Sequence, residues 1–368
     1  MSMSQANVTP PSSFTSQPLT PPSTDKEPWW EGRRVIALFR QIQAGRNSKQ
    51  GTWIEFQLAQ GEYEEIESKI QQDDVLEGYV KDKICYDYDA DKRKLVVRMP
   101  TAVHEFFIDK VEDAIRSQLK VIRDESGRKA QFAQKVETAR STIVRLATSD
   151  PSINSEYQPD ASFWHSNARY PGVIIEVAYS QKKKRLGRLA ENYLLDSNTS
   201  IRAVVGLDID YGKKGSRKAT LSIWRPRLFD TADGSELRAV DEAADQAFRD
   251  DEGNPIDHSG LRLRLSDFAC EELVQNEMGD EDTEIYVSAI QLCQYLAVAE
   301  SKVGRGQSLI EHSFAYEVKK RKRSETPPEE IGSSDEARYI EQEQRAAKRA
   351  ADHDKDYEDT SSSKSLSE

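Results

Sequence analysis

Apolar and polar positions along the chain predict a run of helices and strands between residues 29 and 315. Residues 172–179 (GVIIEVAY) are β-rich and almost wholly apolar, which is typical of a strand buried on both faces. The basic stretch 182–195 places its apolar residues on one helical face, and residues 201–209 (IRAVVGLDI) form a second apolar run. This order predicts a βαβ crossover with two parallel strands.

The rest of this region predicts a mixed α/β domain. Thr101 is a candidate cap for a long amphipathic helix, because apolar residues recur at helical spacing after it. Residues 230–260 are acidic and rich in turn formers, which indicates a loop or insertion. Shorter helices and strands are predicted at 32–43, 52–58, 61–70, 79–88, 94–99, 141–146, 161–164, 220–224, 261–265 and 286–298.

Both ends of the chain predict disorder. Residues 1–28 are mainly Ser, Thr, Pro and Gln, a composition with too little apolar surface to offset the entropy of ordering. From Ser324 to the end there are 13 acidic and 6 basic residues, so this tail carries more than half of the net charge of −12. The stretch 338–351 is charged and alanine-containing and is a candidate solvated helix. We therefore expect one domain at 29–315, with its core at 94–225, between a disordered N-terminal tail and an acidic tail at 316–368.

Composition also limits location. The N-terminal stretch lacks the basic start and apolar core of a signal peptide, and no apolar run approaches the length of a membrane span. Three widely spaced cysteines without a CxxC pair indicate neither a disulfide framework nor a zinc site. The sequence thus favours a nuclear or cytoplasmic protein that is neither secreted nor embedded in a membrane.

One carboxylate stands out in this pattern. Glu176 lies in the middle of an otherwise apolar strand, where an unpaired charge is costly. Pairing of the segments 160–164 and 172–178 would bring Asp160 to the same end of the sheet. Two such carboxylates can seat Mg²⁺ together with water and phosphate oxygens. The alternative is a salt bridge from Glu176 to Arg188 or to another cation that faces the core.

An ordered set of motifs resembles a known family. Pro159-Asp160 is followed, after 15 residues, by Glu176-Val177-Ala178 inside the apolar strand. This pattern resembles the PD-(D/E)XK superfamily of restriction-endonuclease-like nucleases. The wider set resembles its Uma-type branch and a group of fungal proteins; the matching segments are Gly61–Glu65, Met99–Glu105, Pro159–Phe163, Glu176–Ser180 and Tyr193.

The resemblance implies a restriction-endonuclease-like mixed sheet flanked by helices. It makes Asp160 and Glu176 ligands of Mg²⁺ or Mn²⁺ and Glu105 a third acidic residue of the catalytic site. The family's lysine, two residues after the glutamate, is Ala178 here. Gln181 or a helix lysine such as Lys184 would have to contact the phosphate in its place. The resemblance therefore implies phosphodiester hydrolysis, with the inactive site as the alternative.

Basic residues suggest two kinds of partner. A candidate rim for phosphate contacts consists of Lys182, Lys183, Arg185, Lys213 and Lys214; its alternative is a solvated face. Five consecutive basic residues, Lys319, Lys320, Arg321, Lys322 and Arg323, are typical of a segment bound by a nuclear import receptor. We expect a Mg²⁺-dependent nuclease-like enzyme acting on DNA, or an inactive module of the same fold that binds nucleic acid or protein.

Overall fold

The computed structural model describes residues 30–46, 53–150, 153–179, 183–210, 215–232, 234–304 and 333–358. The chain divides into two units, Met1–Ser308 and Leu309–Glu368. The predicted tail at 1–28 and the import segment lie outside the described residues.

The first unit combines helices with three sheets. Its strands are β1 (Trp53–Gln57), β2 (Cys85–Asp89), β3 (Lys94–Arg98), β4 (Val136–Thr138), β5 (Val144–Ala147), β6 (Asn154–Tyr157), β7 (Ala161–His165), β8 (Val173–Tyr179), β9 (Ala203–Ile209), β10 (Ala219–Thr231), β11 (Gly234–Arg249), β12 (Leu261–Arg264) and β13 (Glu284–Val287). Its helices are α1 (Trp30–Gln43), α2 (Glu62–Gln71), α3 (Asp74–Lys83), α4 (Ala102–Arg123), α5 (Arg128–Gln134), α6 (Lys183–Asp196), the short α7 (Glu271–Leu273) and α8 (Ala289–Gly304). A 3₁₀ turn at Leu265–Phe268 and a π-helical turn at Val274–Met278 flank α7.

A five-stranded antiparallel sheet, ordered β1-β3-β2-β6-β5, forms the first layer of this unit. The apolar faces of α1, α2 and α3 pack on it, with Phe39, Ile66 and Leu76 fully or almost fully buried. The side chain of Asp73 caps α3 by accepting a hydrogen bond from the backbone N–H of Leu76. Strand β3 ends in this sheet at Arg98, next to the second sheet.

The second sheet contains the predicted crossover. Its strand order is β11-β10-β9-β8-β7-β4. The pairing of β8 with β9 is parallel, and all other neighbouring strands of this sheet pair in antiparallel fashion. Ile174 and Val204 pack beneath α6 on one face, while Ile175 and Val205 belong to the larger cluster with α4 and α8 on the other face. The predicted βαβ unit and the mixed α/β class are therefore confirmed.

The expectation of a loop at 230–260 is wrong for most of its length. Residues Gly234–Arg249 form β11, which pairs with β10 as the edge strand of the second sheet. Only three of the 16 residues of β11 are buried, so the strand needs no regular apolar face. Its acidic composition therefore hides a strand whose backbone hydrogen bonds come from β10, the strand directly before it in the chain.

Two further expectations need correction. Residues 79–83 belong to α3, so the strand predicted at 79–88 begins only at Cys85. Strand β12 pairs with β13 in a separate two-stranded sheet and does not extend a large one. In the second unit, α9 (Ser333–Glu358) contains the helix predicted at 338–351. Alanines and pairs such as Glu341–Arg345 favour this helix without a core.

Candidate functional site

The two carboxylates predicted to bind metal lie side by side where β7 pairs with β8. Ala161 is opposite Ile175 in this antiparallel register, so the next position along places Asp160 beside Glu176. The backbone N–H of Val177 donates to Oδ2 of Asp160 at 2.7 Å and holds the aspartate against β8. The prediction that this pairing gathers the two carboxylates is confirmed.

Glu176 faces the α6 side of the sheet. Side chains alternate along a strand, so Glu176 shares its side with Ile174, which packs beneath α6. The hydroxyl of Tyr193 on α6 donates to Oε1 of Glu176 at 2.9 Å. Tyr193 therefore provides a hydrogen bond to one oxygen of Glu176, which is 3% exposed. The sequence motif contains Tyr193 but assigns it no role.

A guanidinium from the other sheet lies between the two carboxylates. Nη1 of Arg98 donates to Oδ1 of Asp160 at 3.1 Å and to Oε2 of Glu176 at 3.3 Å. Nε and Nη2 of Arg98 lie 3.1 Å and 3.2 Å from the carboxylate oxygens of Asp87 on β2. The cation that pairs with Glu176 is thus Arg98. This contact matches the alternative expectation of a salt bridge from Glu176 to a core-facing cation, with Arg98 as the cation in place of Arg188.

His104 is a second cation that the sequence argument missed. It is 5% exposed, and its Nε2 lies 3.0 Å from Oδ2 of Asp160. Thr101 starts α4 by accepting a hydrogen bond from the backbone N–H of His104, and this places the imidazole at the site. In the sequence, the signal that could have identified His104 is its position next to the acidic Glu105. In the structure, Oε1 of Glu105 lies 3.3 Å from Nδ1 of His104.

These contacts decide which carboxylate carries the charge. Burial and the nearby charge of Asp160 raise the pKa of Glu176 well above its ordinary value, although Arg98 opposes this. Burial acts in the same direction on Asp160, but His104 and Arg98 outweigh it and lower the pKa of Asp160. Burial disfavours the charged imidazole, yet Asp160 raises the pKa of His104 to about 10. We assign a negative charge to Asp160 and a positive charge to His104 at neutral pH, and Glu176 is the carboxyl group of the pair that is harder to ionise.

The cluster forms part of the wall of an open cleft of about 610 Å³. Apolar side chains such as Val96 and Leu186 share this wall with Arg188 of α6, whose side chain is exposed. Arg185 pairs with Glu55, and its guanidinium lies 5.4 Å from the centre of the Trp53 ring. The cleft therefore presents apolar, aromatic and basic groups beside the buried cluster.

The other predicted site residues are only partly placed. Glu105 lines the same cleft, but its side chain is 59% exposed and contacts His104 rather than the carboxylate pair. Ala178 lines the cleft at the position where the family has its lysine. Lys183 and Lys184 begin α6, although their side chains are outside the described part. Gln181, Lys182, Lys213 and Lys214 also lie outside it.

The arrangement around the pair does not fit a Mg²⁺ or Mn²⁺ ion. All four carboxylate oxygens are engaged: Arg98 takes one from each residue, Tyr193 takes the second of Glu176, and His104 with the Val177 N–H takes the second of Asp160. A hard cation needs free oxygen ligands at about 2.0–2.6 Å. Among the described residues, no group of three or more His, Cys, Asp and Glu side chains is arranged to hold a metal. The metal ligands therefore stay a prediction, and these contacts argue against it.

Comparison with known proteins adds no identification. Neither a protein-family model nor a curated protein sequence matches the chain. Within the described residues, no helix has the length and apolarity needed to cross a membrane.

Proposed function

We propose that the chain is a noncatalytic nucleic-acid-binding module with a restriction-endonuclease-like core. The observation that carries the proposal is the guanidinium of Arg98 between Asp160 and Glu176, where a nuclease would need a metal ion. Ala178 in place of the family's lysine supports the same conclusion. The fold component rests on the motif resemblance together with the β8-α6-β9 unit.

Nucleic acid is the favoured partner because two arginines line the cleft and the strands that precede the two basic segments end at the same edge of the second sheet. Tyr179 at the end of β8 is the register partner of Ile209 at the end of β9. In the sequence, the basic segments 182–185 and 213–214 follow these two strand ends. Arg185 and Arg188 line the adjoining cleft, and side chains of this type contact phosphates.

The second candidate is the Mg²⁺-dependent nuclease. One observation favours it: Asp160 and Glu176 lie side by side at the wall of an open cleft, in the order the family motif implies. We propose DNA rather than RNA as the polymer in either case, on the resemblance alone.

A binding assay with a matched cleavage assay tests both candidates. Full-length protein is titrated onto labelled single- and double-stranded DNA and RNA by fluorescence anisotropy at several salt concentrations. We expect salt-dependent binding, and the double variant Arg185→Ala, Arg188→Ala should flatten the dependence of log Kd on log salt by about 1–2. The control is Arg116→Ala, an exposed residue of α4 paired only locally with Asp113.

The cleavage arm uses plasmid and oligonucleotide substrates with Mg²⁺ or Mn²⁺. We expect intact substrates. Cleavage that both Asp160→Ala and Glu176→Ala abolish would replace the proposal with the nuclease. Absence of both binding and cleavage would overturn both candidates.

Location is a separate part of the proposal. The run 319–323 supports a nuclear protein that an import receptor carries into the nucleus. A fluorescent fusion of the full chain should accumulate in the nucleus, and replacement of the five basic residues by alanine should redistribute it to the cytoplasm. An unchanged distribution in that variant would remove the import segment from the proposal.

A further inference from the structure

We infer that Arg98 is a built-in cation that holds the place of a divalent ion between Asp160 and Glu176, and that loss of its guanidinium uncovers a latent metal site. The inference concerns this acidic cluster alone. It stands or falls independently of whether the chain binds nucleic acid.

One nitrogen of Arg98 bridges two carboxylates. Nη1 of Arg98 contacts one oxygen of Asp160 and one of Glu176, at 3.1 Å and 3.3 Å. A metal ion shared by two carboxylates bridges them in the same manner, at shorter distances. The remaining nitrogens of Arg98 face Asp87, so a third carboxylate borders the same place.

Arg98 lies among three acidic side chains that are nearly removed from water. The side chains of Asp87, Asp160 and Glu176 are between 4% and 10% exposed, and that of Arg98 is 11% exposed. Carboxylates removed from water need a partner cation. Without Arg98, the described cation still in contact with this group is His104, which touches Asp160.

The arginine and the two carboxylates belong to different sheets. Arg98 belongs to β3 of the first sheet, whereas Asp160 and Glu176 flank the β7–β8 pairing of the second. A neutral side chain at position 98 would leave both strands of the second sheet intact, with Tyr193 still holding Glu176 and the Val177 N–H still holding Asp160. The carboxylates would then keep an ordered support while they gain free oxygens, which is the requirement for a hard-cation site.

The test measures Mn²⁺ binding by full-length protein. Electron paramagnetic resonance of free Mn²⁺ gives the number of ions bound, and thermal unfolding with and without MnCl₂ gives the effect on Tm. We expect no saturable site at the cluster in the wild type, and one bound ion with a Tm that rises with Mn²⁺ concentration in Arg98→Met. Adding Asp160→Asn to Arg98→Met should abolish both effects.

Three results would overturn the inference. One is a folded Arg98→Met that binds no Mn²⁺, and another is a bound ion that survives Asp160→Asn. The third is a wild-type ion that Asp160→Asn removes, because the arginine would then not exclude metal. If Arg98→Met does not fold alone, refolding on addition of Mn²⁺ supports the inference, and failure to refold with Mn²⁺ contradicts it.

Discussion

Nε2 of His104 lies 3.0 Å from Oδ2 of Asp160, and this contact ties the first turn of α4 to the start of β7. The Asp160 carboxylate is almost fully buried, and the charged imidazole compensates for the loss of its hydration. Because the same contact raises the pKa of His104 to about 10, the stability of the fold depends on pH.

The first prediction concerns this pH dependence. The folded pKa of His104 lies above the value of 6.5 for an unperturbed histidine, so the folded state binds more protons between these two values. The stabilisation is complete below pH 6.5 and is lost as pH rises towards about 10, at up to about 1.4 kcal/mol per pH unit. Urea unfolding at pH 6, 8 and 9.5 should show this slope in the wild type and a smaller slope in His104→Gln.

His258 provides the matched control for that measurement. Burial lowers the pKa of His258, against the charge of Asp257, so its titration lies below this pH window. His258→Gln should therefore keep the wild-type slope above pH 6.5. Equal slopes in His104→Gln and the wild type would mean that His104 is not held in its charged form.

Sequence patterns predict the central unit well because its signals are local. An apolar run, an amphipathic helix and a second apolar run identify β8, α6 and β9 within some 40 residues, and the one carboxylate in β8 is visible by contrast. Tertiary contacts decide the rest. Arg98 is the last residue of β3, and nothing in its local sequence distinguishes it from other charged residues at strand ends. Its partners Asp160 and Glu176 are 62 and 78 residues away in the sequence.

The second prediction separates the two carboxylates. Glu176 has a raised pKa, so above its ordinary value of 4.5 the folded state binds more protons than the unfolded state and stability falls as pH rises. Glu176→Gln copies the protonated side chain and removes this loss. Its stability relative to the wild type should therefore increase between pH 4.5 and pH 8.

Asp160→Asn should behave in the opposite way. The pKa of Asp160 is lowered, mainly because His104 and Arg98 outweigh the effect of burial. The asparagine leaves two buried cations without that charge, and we expect a loss of about 3–5 kcal/mol at pH 8. Urea unfolding at both pH values measures the contrast. Equal losses in Glu176→Gln and Asp160→Asn at pH 8 would contradict the opposite pKa shifts of the two carboxyl groups.

The third prediction uses two glycines with different surroundings. A Cβ at Gly172, which precedes β8, would lie 2.1 Å from the backbone carbon of Phe268 and 2.4 Å from the carbonyl oxygen of Asp267. Backbone cannot move aside like a side-chain end, so Gly172→Ala should destabilise the fold by at least about 1–3 kcal/mol. A Cβ at Gly78 of α3 meets no described atom within 4 Å, and Gly78→Ala should stabilise the helix by about 0.5–1 kcal/mol. Thermal unfolding should show a lower Tm for Gly172→Ala and a higher Tm for Gly78→Ala. An unchanged Tm in Gly172→Ala would contradict the close contact between Gly172 and the backbone of Phe268.

The last prediction concerns the docking of α8 on the edge of the second sheet. Arg249 of β11 is fully buried, and its Nη1 donates to Oε1 of Glu300 on α8 at 2.8 Å. Glu300→Ala removes the carboxylate from this guanidinium and from Arg217. An uncompensated buried charge costs about 3–5 kcal/mol, which urea unfolding at pH 7 would detect.

A surface pair and a double variant distinguish charge from packing as the cause of that loss. Glu284 pairs with Arg262, and both side chains are about half exposed, so Glu284→Ala should cost no more than about 1 kcal/mol. The double variant Arg249→Met, Glu300→Leu removes both buried charges and should recover most of the stability lost in Glu300→Ala. If the double variant is as unstable as Glu300→Ala, the packing of α8 rather than the buried charge determines the loss.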